Sequence, residues 1–98
     1  MARIVDGTVN VSSAGTAVQL TSTADRILWI HFHARTGNTN NVYIGASTVA
    51  STRGKPVAAN GTFELAPATY GNHTLLTTDV YIDADTNGND CEWVALVE

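Results

Sequence analysis

The residues best placed to do chemistry lie near one end of the chain, in "DADTNGNDCE", residues 83 to 92. Asp83, Asp85 and Asn87 alternate and Gly88 follows, as in the opening of an EF-hand loop with its oxygen ligands and sharp turn. The match then fails. Position eight of such a loop is Asp90 where an aliphatic residue belongs, and position twelve is Val94 where a bidentate Glu belongs. Asn87-Gly88 is a strong hairpin-turn signal, because both residues tolerate positive φ. The run therefore reads as a β-turn between two strands. Asp83, Asp85 and Asp90 stand as the alternative, a non-EF cation loop.

His31 and His33 are two apart and share one face of a strand. Zinc would require further ligands, and His73 is the one other histidine. The reading preferred for the pair is a wet sheet face or an interface, where histidine can couple contacts to pH. Cys91 is the single cysteine, so an intrachain disulfide is excluded. It has no neighbour in sequence that would activate it. The chain contains no nucleophile elbow and no glycine-rich phosphate loop. Paired carboxylates for glycoside hydrolysis need a deep cleft, and a domain this small has little room for one. The expectation is a protein that is not an enzyme, with no cofactor and no metal.

Ninety-eight residues make one domain. A chain of that length buries about 60–65% of its unfolded surface, so its core is modest. Charged residues are only 14% of the chain and the net charge is −4. The five basic residues are scattered, which argues against nucleic acid as a partner. A sparsely charged polar surface suits packing against other proteins. No charged-then-apolar leader is evident, and the apolar runs are too short to cross a bilayer, so no membrane partner is expected. Three sequons, at Asn10, Asn60 and Asn72, reflect the abundance of Asn and Thr. The expected setting is a reducing cytoplasm, with added stability from partners or oligomerisation.

The elements that must position these residues are strands. Helical periodicity is absent over any long stretch, and β-branched and aromatic runs recur between Gly, Asn, Pro and Ser clusters. "IVDGTVNV" puts Val5, Val9 and Val11 on one face. "TAVQL", "RILWIHFHAR", "VYIG", "STVAST", "TFELA", "DVYIDAD" and "CEWVALVE" follow. The predicted inward sets are Leu28, Ile30, Phe32 and Ala34; Phe63 and Leu65; Val80, Ile82 and Ala84; Val94 and Leu96. About eight short strands at regular spacing predict an all-β, single-domain antiparallel β-sandwich over residues 1–98, a jelly roll first and an immunoglobulin-like sandwich second. Residues 1–7 are expected as an N-terminal arm.

Two strands look apolar on both faces. Opposite the predicted inward sets lie Ile27, Trp29, His31 and His33 on one strand and Cys91, Trp93, Ala95 and Val97 on the other. A half-solvated antiparallel strand should not look like this. Either another subunit covers these side chains or loops of the same chain do.

The stretch "AGTAVQLTSTADRILWIHFHARTGNTNNVYIGASTVASTRGKPVAANGTFEL" resembles small accessory proteins of tailed-phage virions. The resemblance extends over residues 8 to 98. It implies a structural virion protein of the capsid decoration (cement) type, a β-sandwich that forms a homotrimer on the outer surface of the capsid, binds the major capsid protein and braces the shell. On that reading Trp29, His31, Trp93 and Val97 contribute to a subunit interface. Arg3 and Ile4, with Arg53 and Lys55, contact the capsid. The alternatives are a receptor- or carbohydrate-binding module of a phage tail or head fibre, with Tyr70 as its loop aromatic, and a host-encoded adaptor.

Overall fold

The computed structural model of the chain describes residues 1–67 and 73–98. Tyr70, the loop aromatic of the carbohydrate reading, lies outside the described residues. Two four-stranded antiparallel sheets pack face to face. The first runs β1 (Arg3–Val11), β8 (Asn89–Val97), β3 (Ile27–Ala34), β6 (Thr62–Leu65), in that order across the sheet. The second runs β2 (Val18–Gln19), β7 (Tyr81–Ala84), β4 (Asn41–Gly45), β5 (Lys55–Ala58). The pairings nest: β1 with β8, β2 with β7, β3 with β6, β4 with β5. The chain is thus one long antiparallel hairpin with its tip at β4–β5. It is rolled so that β3 also meets β8 and β4 also meets β7. This is the strand order of a jelly roll.

The core is the layer between the sheets. Phe32, Ile30, Ala95 and Val97 from the first sheet meet Val42, Ile82 and Val57 from the second. Val42, Ile82, Ile30 and Phe32 are fully buried. Each such side chain contributes about 1.5–3 kcal/mol relative to exposure. The inward sets expected for β6 and β7 hold: Phe63 and Leu65 pack against the core from β6, and Ile82 and Ala84 are buried on β7.

Four expectations are corrected. β8 is turned over. Its core face is Cys91, Trp93, Ala95 and Val97, and Val94 and Leu96 face out. Asp90 and Glu92 share the even-numbered face with Val94 and Leu96, and two carboxylates cannot be placed against the core without partners. On β3 the register slips between Ile27 and Trp29, so Ile27 joins Ile30, Phe32 and Ala34 inside while Leu28 is half-buried. A β-bulge does this because two residues oppose one and the alternation resets. "STVAST" is a turn, closed by the bridge Ala50–Arg53, and "KPVA" is the strand instead. Pro56 is tolerated because β5 is an edge strand, where a missing N–H breaks no ladder. Gly54 forms the bend before it at φ 122°, where a Cβ would lie 2.6 Å from Val49 and 2.8 Å from the Ile44 carbonyl oxygen. Finally, the arm expected over residues 1–7 is strand from Arg3 onward, paired with β8 from Arg3–Val97 to Val11–Asn89.

Candidate interaction surface

The turn from β7 to β8 shows what the acidic run does. β7 and β8 belong to different sheets, so the turn carries the chain across the sandwich and closes no hairpin. Gly88 takes φ 86° and donates its N–H to the Val11 carbonyl at 2.8 Å. Each carboxylate is engaged separately. Asp83, buried on the outer side of β7, accepts the N–H of Gly15 at 2.9 Å and of Ala84 at 2.8 Å. Asp85 accepts the Asn41 N–H at 3.0 Å and the Tyr43 hydroxyl at 2.9 Å. Asp90 accepts the Asn10 amide at 2.7 Å. The Asn87 side-chain oxygen accepts the Ala14 N–H at 2.8 Å. The run pins the loop after β1 and the start of β4 to the second sheet. Burial, then Asp85, pushes the Tyr43 hydroxyl pKa up. Among the described residues no three His, Cys, Asp or Glu converge as a metal site.

The second sheet is therefore covered over Asp83 by its own chain. The outer face of the first sheet is different. Its register aligns Ile4, Leu96 and Trp29 in one row across β1, β8 and β3. The next row is Asp6, Val94, His31 and Glu64, and the one after is Thr8, Glu92, His33 and Thr62. Trp29 stacks on His31, with ring centroids 5.9 Å apart and planes at 26°. Ile4 is 72% exposed. Apolar rows of this kind on an open sheet face mark contact surfaces.

Charge lines the apolar row on one side. His31 Nδ1 lies 3.0 Å from Glu64 Oε1. His33 sits between two acceptors: Nδ1 is 3.2 Å from Glu92 Oε1 and Nε2 is 3.1 Å from Asn60 Oδ1. An imidazole with acceptors at both nitrogens is satisfied only when doubly protonated. The Asn60 contact, then Glu92, accordingly raises the His33 pKa above 6.5. Arg35 Nε approaches Glu92 at 3.7 Å and its NH1 approaches Asp90 at 3.6 Å. Asp6, Thr8, His31, His33 and Glu92 line a shallow depression of about 380 Å³.

Of the residues expected at a subunit interface, Trp29 and His31 lie side by side on this face. Trp93 and Val97 do not. Val97 is fully buried and Trp93 is 7% exposed, its indole lying over Gly7 of β1. Their place on the face is taken by Val94 and Leu96, which the parity of Asp90 and Glu92 would have revealed. Arg3 and Ile4 lie on β1, where Arg3 is ion-paired to Asp25. Lys55 lies on β5, with its ammonium 5.9 Å from the Phe63 ring of β6, and Arg53 is in the turn before it. β1 and β6 are opposite edges of the first sheet, so Arg3 and Ile4 do not form one patch with Arg53 and Lys55. His73 is exposed and outside the strands. Cys91 is buried under the first sheet, and that burial pushes its thiol pKa up to about 12. Such a thiol is inert as a nucleophile. No known family, no curated protein and no solved structure matches the chain.

Proposed function

We propose that the chain is a structural virion protein that docks as an oligomer on the outer surface of a tailed-phage capsid, with the major capsid protein as partner, and stabilises the shell. The observation that carries this reading is the apolar row of exposed Ile4 with half-buried Leu96 and Trp29, and half-buried Val94 beside it, on the outer face of the first sheet. The resemblance to phage accessory proteins supplies the class of partner. The mechanism is mass action: a ligand that binds the assembled shell and not its parts shifts the shell toward the intact state. Trp29 is the anchor, since large aromatic side chains dominate interface energetics.

Co-sedimentation of the purified protein with capsids, at increasing protein concentration, tests the reading. The wild-type chain is expected to saturate the shells. Trp29→Ala with Leu96→Ser is expected to weaken binding by about 2 kcal/mol or more, roughly thirtyfold, with little change in unfolding temperature. A wild-type chain that stays in the supernatant would overturn the proposal. Binding that survives the double substitution would move the contact off this face.

A further inference from the structure

The sandwich has four strand edges, and three are blunted. β2 is two residues long, β6 is four, and β5 is four and carries Lys55 and Pro56. Short strands, Lys and Pro are the usual protections against strand pairing between molecules. β1 has none of them. It is nine residues long, contains neither Lys nor Pro, and pairs with β8 without a bulge.

The direction of its free backbone groups follows from the ladders. The Arg35 N–H donates to the Asp90 carbonyl at 3.2 Å, so even-numbered residues of β8 turn toward β3 and odd-numbered ones toward β1. Through the Val9–Cys91 register, odd residues of β1 bond to β8. The N–H and C=O groups of Ile4, Asp6, Thr8 and Asn10 then point to the open side. Among the described residues they meet no other strand.

We propose that this edge pairs with β1 of a second copy, antiparallel about a twofold axis at Gly7. Gly7 is the midpoint of the strand, so all nine residues pair. Ile4 then opposes Asn10, Asp6 opposes Thr8, and Val5 opposes Val9 on the core side. The two charges of the strand, Arg3 and Asp6, meet the uncharged Val11 and Thr8, and the Thr8 hydroxyl is placed to donate to Asp6. A register about Asp6 would oppose two carboxylates, which is destabilising. A register about Thr8 leaves Arg3 without an opposite residue in the strand. The contact is isologous, the same patch on both copies, and it merges two four-stranded sheets into one of eight. A homotrimer, by contrast, needs two different patches. This pairing does not depend on the capsid reading: it uses the open backbone groups of β1, and of the Trp29 row only Ile4 lies on that strand.

Native mass spectrometry and sedimentation velocity of the full chain test it, with three variants. The wild type is expected to be a dimer. Thr8→Pro removes one N–H that points to the open side and no bond to β8, so it is expected to yield a folded monomer. Thr8→Asp places a carboxylate opposite Asp6 of the other copy without altering backbone geometry. It is expected to weaken dimerisation at least tenfold. Adding Asp6→Lys to Thr8→Asp is expected to restore the dimer, because in this register alone the new charges oppose one another. A monomeric or trimeric wild type overturns the proposal, as does an oligomer indifferent to Thr8→Asp. Failure of the double variant to recover overturns the Gly7 register.

Discussion

His33 is held by groups far away in the chain: Asn60 is 27 residues on and Glu92 is 59. Its pKa is raised in the fold, so protonation and folding are linked. The sign is that of a histidine stabilised as imidazolium. The contribution is fully present below the unfolded value near 6.5 and is lost as pH rises through the higher folded value. An NMR titration is expected to place the His33 midpoint above that of an unfolded peptide, and Asn60→Ala is expected to lower it. That His31 and His33 share a face was legible from their spacing. Their acceptors were not, because Asn60, Glu64 and Glu92 arrive through tertiary pairing. Gly7 is a second case of a residue whose role is set at a distance. A Cβ there would lie 2.9 Å from Trp93 Nε1, so Gly7→Ala is expected to cost about 1–3 kcal/mol in chemical denaturation. The Trp93 Nε1 atom is itself buried without a hydrogen-bond partner, which leaves the ring little reason to hold its place beyond packing.

The strands themselves illustrate where alternation informs and where it does not. On β6 one charged residue, Glu64, separates two apolar ones, and the inward set is unambiguous. β8 offers apolar residues on both faces, and only the two carboxylates at its start break the tie. The bulge at Ile27–Trp29 has no mark in composition, since it is set by the register with β8. β5 was hidden because Gly54 and Pro56 read as breakers, although one makes the bend and the other sits on an edge. Two substitutions separate the faces of β8. Val94→Thr is expected to change stability by less than about 1 kcal/mol, whereas Ala95→Leu, which forces bulk into a fully buried site, is expected to cost about 1–3 kcal/mol. Urea midpoints at constant slope are the measurement.

At the scale of the whole molecule, the fold class followed from strand count and turn spacing, but the order of strands did not. Alternation says which residues face the core, not which strands are neighbours. The order observed sets folding kinetics. In a rolled hairpin β1 cannot pair until β8 is present, and every pairing except β4–β5 joins segments distant in sequence. Folding dominated by non-local pairing is slow, on the order of milliseconds to seconds. Stopped-flow refolding followed by tryptophan fluorescence is expected to fall in that range. The Cys91 thiol, at about 12, offers an independent clock: it is expected to react with a disulfide reagent only as fast as the sandwich opens.

The pairing of Arg3 with Val97 has a mechanical consequence. The two strands run antiparallel and their outer ends meet at one corner. Tension applied between residues 3 and 97 would load the ladder one rung at a time, as a zipper is opened, rather than shearing all rungs together. The molecule is therefore soft when pulled by this corner. A force-spectroscopy experiment pulling at this corner is expected to record low, sequential rupture beginning with β1.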